Sequence, residues 1–217
     1  MSFIRLYVSV PVAGFRVAQA REFWETYPCP PPSTVYGMLL SLVGETDRLV
    51  HQNAEISVAL LSVPESSVIL RTLWRVKDIN TFPGLGNNKR PDFQELLSDI
   101  RLSVWVRQGR DEGKPYALVT RLQSALREPC SITRFGGLSL GESTHLVDEV
   151  RVWRVDDPQA GRILLRDERG DMSLPVWPDH VGSKGTVWEQ FKLDAVSPLE
   201  DNPPEMAWVT IRPPVVV

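Results

Sequence analysis

Arg101-Leu102-Ser103-Val104-Trp105-Val106-Arg107-Gln108 alternates with a period of two. Leu102, Val104 and Val106 share one face, while Arg101, Ser103, Trp105 and Arg107 share the other, which reads as a β-strand with two chemically different sides. Just upstream, Asp92 and Glu95 have the spacing of a capping box, which predicts a short helix through Asp99. Before that, Lys77 to Arg90 contains Pro83-Gly84-Leu85-Gly86-Asn87-Asn88, too many chain breakers for regular structure. Glu55 to Val63 and Ser67 to Val76 read as strands joined by a Pro64-Glu65-Ser66 turn. Phe3 to Val10 is rich in β-branched and aromatic residues and reads as the first strand. A long connection carrying Phe15, Arg16, Arg21, Phe23 and Trp24 closes with Pro30-Pro31-Pro32. Val35 to Val43 follows, apolar nearly all round and so expected to be buried. Ser33 or Thr34 is its N-cap and Gly44 its stop.

On the C-terminal side, Pro115 can occupy the first position of a helix running to about Arg127, and Pro129 ends it. A glycine-rich stretch follows, Arg134-Phe135-Gly136-Gly137-Leu138-Ser139-Leu140-Gly141-Glu142-Ser143. Glycine lets backbone N–H groups come close to a phosphate or another chain. Strand patterns then occupy 146–155, 162–167, 172–177, 186–196 and 206–211. Residues 1–155 thus give strand, helix, strand, strand, helix, strand, with an insertion after the third strand. That is the α+β order of a ferredoxin-like (RRM-like) βαββαβ sandwich, a common frame for RNA binding. Residues 156–217 are expected to add a small antiparallel β-rich appendage.

The chain has 42% hydrophobic and 24% charged residues, an ordinary globular balance. Residues 1–134 carry 16 Lys+Arg against 13 Asp+Glu, net +3, and residues 135–217 carry 8 against 14, net −6. An anionic partner is therefore expected on the N-terminal two-thirds. Cys29 and Cys130 form no CxxC pair, so neither a zinc site nor a disulfide framework is suggested. No metal or cofactor is expected. The apolar run 35–43 is far short of a membrane span, and the reading is a cytoplasmic protein.

Residues 71–90 hold Arg71, Trp74, Arg75, Lys77, Phe82, Lys89 and Arg90 against Asp78 alone, net +4. Phosphates take most contacts with a nucleic acid and flat rings stack on unpaired bases, so an exposed basic finger here suits an RNA strand. The alternative places Trp74 in the core, with the charges as a solvated rim. Catalysis has fewer candidates: His51, His145 and His180 are far apart and sit in no recognised catalytic motif. A metal-independent endoribonuclease needs a base, an acid and a cation, for which His145 with Tyr36 or Lys77 is the alternative. The glycine stretch lacks the GK[ST] of a phosphate-binding loop, and Gly182-Ser183-Lys184-Gly185-Thr186 lacks its upstream glycine, so ATP binding is not expected.

At Pro30-Pro31-Pro32-Ser33-Thr34-Val35-Tyr36-Gly37-Met38-Leu39-Leu40-Ser41-Leu42-Val43-Gly44-Glu45 the chain resembles the CRISPR-associated Cas-five family of the RAMP superfamily. The glycine stretch followed by His145-Leu146-Val147 is similar to that family's glycine-rich segment. The resemblance spans the chain and is strongest over 1–45 and 131–150. It implies an antiviral-defence subunit of a type I Cascade complex that caps the 5′ handle of the CRISPR RNA (crRNA). Its expected partners are a Cas-seven-type backbone subunit and a Cas-eight-type large subunit, with target DNA met through the complex. It also implies a ferredoxin-like domain with a β-hairpin thumb, placed here at about 73–104. By position, RNA contacts are expected at Arg16 and Arg21 after the first strand and at Ser33 and Thr34 on the helix N-terminus. Further contacts are expected at Arg71, Trp74, Lys77, Lys89 and Arg90 in the insertion, and at Arg134, Gly136, Gly137, Ser139, Ser143 and His145 in the glycine segment. Members that cleave precursor RNA use a Tyr, a Lys and a His. No adjacent Lys-His pair occurs here, which implies a non-catalytic subunit.

Overall fold

Residues 101–107 of the alternating stretch lie in the longest strand of the computed structural model, which describes residues 3–113, 116–179 and 184–214. In chain order the elements are β1 (Phe3–Ala13), β2 (Phe23–Trp24), α1 (Pro32–Leu42), β3 (Glu55–Leu60), β4 (Glu65–Trp74) and β5 (Lys89–Arg107). They continue with α2 (Leu118–Arg127), β6 (Glu149–Val152), β7 (Gly161–Arg166), β8 (Met172–Trp177), β9 (Val187–Val196) and β10 (Val209–Thr210). Among the described residues all ten strands share one sheet, ordered β6-β1-β5-β3-β7-β9-β8, with β2 and β4 on β5 and β10 on β3. Every pair is antiparallel except the short β2–β5 ladder.

The register explains the two faces. Leu6 and Val58 both face Val104, and Ile56 faces Val106, so the apolar sides of three strands form one surface. Both helices cover it, burying Val35, Leu39, Leu118 and Leu122 against Leu6, Val8, Leu102 and Val104. α1 is buried on its other side too, because Tyr36 packs on Trp177 of β8 at 6.3 Å between ring centroids. That is why its sequence is apolar all round. On the reverse face Trp105 is fully buried with Ala59, Ile163, Leu165, Leu199 and Trp208. The Arg5 guanidinium lies between Trp105 and Trp153, 4.5 and 3.5 Å from their centroids. Burial pulls its pKa down to about 10.

Several sequence expectations change in the folded chain. The helix expected over 92–99 is strand: residues 89–98 of β5 pair one-to-one with β4. The capping-box residues serve the sheet instead. Asp92 is buried and accepts from Arg90 Nε at 2.5 Å. Glu95 accepts the Thr26 N–H at 3.0 Å and the Ser66 hydroxyl at 2.7 Å. A ten-residue ladder outweighs the local propensity of one turn. The hairpin therefore opens at Glu65 rather than 73, and its return arm runs unbroken into the central strand.

Ser33 and Thr34 do not cap α1, whose N-cap position is Pro31 and which has no side-chain cap, and Gly44, at φ 68°, follows its end. α2 also lacks a cap on its own flank. The buried Glu112 carboxylate takes the Leu118 N–H at 2.6 Å and holds His51 Nδ1 at 3.2 Å. Pro115, His180, Gly182 and Ser183 lie outside the described residues. The 156–217 strands extend the main sheet through β3 and β7. Among the described residues no helix is long and apolar enough to cross a membrane.

Candidate nucleic-acid interface

Three segments distant in sequence meet along the turn-side half of the β4–β5 hairpin. The first is the connection after β1, where Arg16 bridges Thr26 and Val17 N–H bonds Glu25 at 2.9 Å, folding residues 14–27 back on themselves. This fold sets Arg16 over Trp24, with its guanidinium carbon 4.1 Å from the ring centroid. From the hairpin, Arg71 reaches the same indole at 5.2 Å, so Trp24 is held by two cation–π contacts. The Trp24 N–H is donated to the Arg21 carbonyl at 2.9 Å, and Arg90 Nη2 donates to that carbonyl at 3.2 Å.

An open groove of about 410 Å³ results, lined by Trp24, Trp74, Arg16, Arg21, Arg75 and Arg90. Trp74 is 72% exposed, so the core alternative for it is overturned. Gly84, at φ 80°, lies against the indole, where a Cβ would stand 2.7 Å from Cε2. The glycine backbone thus backs the ring from one side and leaves the groove side open. The tip is less irregular than its breakers suggest. Asn88, 1% exposed, accepts the Lys77 and Asp78 N–H groups at 2.8 Å each and donates to the Asp78 carbonyl at 2.7 Å. Lys77 and Lys89 stand exposed, Lys89 opposite Trp74. Arg71 and Arg90 pair with Glu142 and Asp92. Arg16, Arg21, Arg75, Lys77 and Lys89 form no ion pair among the described residues.

The third segment is the glycine stretch, which divides into an open tip and an anchored half. Arg134, Gly136 and Gly137 are exposed and Phe135 is fully so. Gly136 has φ 78° with open space where a Cβ would lie. Beyond it Leu138 and Leu140 are buried, Ser139 bridges Leu146, and Ser143 is exposed. Gly141, at φ 100°, packs so close to the first connection that a Cβ would meet the Gly14 carbonyl at 2.9 Å. His145 is buried beneath it, and its Nδ1 accepts the Glu142 N–H at 3.1 Å and the Gly14 N–H at 3.3 Å. Two incoming N–H groups require Nδ1 to be unprotonated. Burial lowers the His145 pKa, outweighing the opposing pull of Glu142.

The groove residues Arg16, Arg21, Trp74 and Arg90 are thus brought together, with Arg71 joined to them through Trp24 and Lys77 and Lys89 along the same hairpin. Arg134, Gly136 and Gly137 stand on a separate exposed tip tied to them through 138–145. Ser33 and Thr34 are half-buried at the start of α1. For the ribonuclease alternative, His145 Nδ1 is occupied as described. The buried Tyr36 hydroxyl donates to the Arg48 carbonyl at 2.7 Å, its pKa raised by desolvation. Sequence reading missed Trp24, Asn88, Gln94 and Glu142. An arginine eight residues before Trp24 across a foldback was a usable signal for the first. Gln94 and Glu142 act through partners far away in the chain, and Asn88 acts within its own turn, closing it on Lys77 and Asp78.

No family model matches the chain. A relative from Myxococcus xanthus (strain DK1622), CRISPR-associated protein Cas5, is 45% identical over 194 residues, covering 89% of this chain and 91% of that protein. Among solved structures, a chain of a CRISPR RNA-guided surveillance complex superposes with a TM-score of 0.61 at 16% identity, covering 91% of this chain and 90% of its own length. A crystal structure of a Cas protein gives a TM-score of 0.52 at 14% identity, with coverages of 91% and 96%. At those identities the structural likeness speaks for the fold.

Proposed function

The chain belongs to the CRISPR-associated Cas5 family, and on that premise we propose that it is a non-catalytic RNA-binding subunit of a type I Cascade complex, capping the crRNA 5′ handle in the cytoplasm. The observation that carries this reading is the two-tryptophan, four-arginine groove joined to the glycine stretch. The exposed Trp74 indole offers a flat face to an unpaired base, and the guanidinium groups that form no ion pair among the described residues offer fork-shaped donors to phosphates. In this reading Arg16, Arg21, Arg71, Trp74, Lys77, Lys89 and Arg90 meet the RNA along the hairpin. The tip at Arg134, Gly136 and Gly137, with Ser139 and Ser143, meets the backbone farther along, and Ser33 and Thr34 present the α1 N-terminus. His145 holds the loop from beneath.

The strand order β6-β1-β5-β3 under two helices supports a ferredoxin-like frame over 1–155, with the β4–β5 hairpin as its thumb and 156–217 as a C-terminal extension. The same hairpin carries an apolar side. Phe93 faces both Leu70 and Phe23 in register, and these three with Val68 are 42 to 64% exposed. That patch suits docking to a Cas-seven-type backbone subunit or a Cas-eight-type large subunit, because contiguous exposed apolar residues mark protein interfaces. The test is co-expression with the neighbouring Cascade subunits, followed by purification and sequencing of bound RNA. Recovery of repeat-derived RNA in the assembly is expected. A monomeric, RNA-free protein in the presence of those subunits would overturn the proposal.

A further inference from the structure

A carboxylate of the glycine stretch, Glu142, reaches an arginine of the hairpin beside this basic groove. Glu142 Oε2 accepts Arg71 Nη1 at 2.9 Å, and Oε1 accepts it at 3.2 Å. Oε1 also accepts Gln94 Nε2 at 2.8 Å. Gln94 is buried on the return arm of the hairpin and in turn accepts from Arg71 through its own Oε1. Arg71 is the residue whose guanidinium stands over Trp24. The backbone of Glu142 is equally engaged: its N–H goes to His145 Nδ1 and its carbonyl takes the His145 N–H at 2.9 Å. His145 Nδ1 also takes the Gly14 N–H. One residue therefore links the glycine stretch, the hairpin and the connection that carries Arg16 and Trp24.

An acidic side chain at a phosphate-binding surface should weaken binding by simple charge arithmetic, since it repels the ligand and neutralises a cation. The geometry points to the opposite role: Glu142 is a positioning residue that raises RNA affinity by holding Arg71 over Trp24 and fixing the glycine stretch against the hairpin. The physical reason is orientation. A free arginine side chain has several rotatable bonds to freeze on binding, and a pair of acceptors that fixes the guanidinium beforehand removes that cost from the binding step. Half-buried on both sides, with side-chain exposures of 32 and 29%, the pair is also less screened than a fully exposed one. This inference rests on the RNA-binding reading above.

The test measures affinity of the chain for fluorescein-labelled RNA of the sequence recovered from the assembled complex, by anisotropy at fixed salt. Glu142→Ala is expected to weaken binding about tenfold, although it removes a negative charge. Glu142→Gln, which keeps the side-chain shape, is expected to weaken it in the same direction, and it carries the test if the alanine variant fails to fold. Arg71→Ala supplies the readout that a general structural role would not move. Adding Glu142→Gln to Arg71→Ala should cost little more, because the carboxylate acts through that guanidinium. Unchanged or tighter binding by the Glu142 variants overturns the inference, and so does full additivity with Arg71→Ala. If the unaltered chain binds no RNA, it is the RNA-binding reading that fails, and the two failures are told apart by that control.

Discussion

Removing three arginines from the groove gives a prediction whose size follows from the structure. Arg16, Arg21 and Arg75 line it and, among the described residues, pair with no carboxylate, so each is available to one phosphate. For a single strand, every neutralised phosphate contributes about 0.7 to the slope of log affinity against log salt, so the triple variant Arg16→Gln, Arg21→Gln, Arg75→Gln should lose about 2 units of slope. Between about 50 and 200 mM salt, that portion of the slope alone amounts to a roughly twentyfold change in affinity. The assay is anisotropy of labelled repeat-derived RNA over a salt series, on the triple variant and on Arg110→Gln as a control. Arg110 lines a different groove, where Arg107 is already held by Glu55 and Glu205, and its slope should match the unaltered chain. An unchanged slope in the triple variant would refute the phosphate role of the groove, and a loss of about 0.7 in the control, one charge's share of the triple loss, would show that only net charge matters.

Trp208→Ala should destabilise the fold by about 3–5 kcal/mol in urea denaturation, because it empties the reverse-face cluster beside Trp105 and removes an indole bonded to the Pro203 carbonyl at 3.1 Å. A loss below about 1 kcal/mol would mean that this face is not a core. Gly141→Ala should cost on the order of 1–3 kcal/mol, since alanine disfavours φ 100° and its Cβ would press on the Gly14 carbonyl; amide exchange over 138–147 should quicken first. His145, with its pKa below the ordinary 6.5, favours the neutral form in the fold. The stability it lends is therefore present above about pH 6.5 and lost as pH falls through the lower folded value. Melting curves should show that loss in the unaltered chain and a flatter profile in His145→Gln; parallel profiles would contradict it. Leu70→Asp with Phe93→Ser should leave the melting temperature within a few degrees and abolish co-purification with partner subunits; retained assembly would discount the patch.

What the sequence read correctly, it read through periodicity. The two faces of 101–107, the all-round apolar helix before Gly44 and the strands read at 172–177 and 186–196 are imposed by side chains alternating or cycling within a few residues. The charge asymmetry and the basic 71–90 segment were likewise visible as composition, and the proline and glycine motifs pointed to the family that the Myxococcus xanthus relative establishes.

Tertiary structure decided the rest, because the deciding partners lie far apart in the chain. Residues 92–95 carry a credible helix start, and only ladder pairing with β4 turns them into strand. Trp74 could have been core or surface, and the turn at Gly84 that backs its indole settles it as surface. Glu142 reads as one acid among many in an acidic C-terminal third, yet folding carries it 71 residues back to Arg71. A local pattern can specify which face of an element is apolar. Which charges meet across 50 or more residues depends on strand register and loop closure, and that is information only the assembled sheet contains.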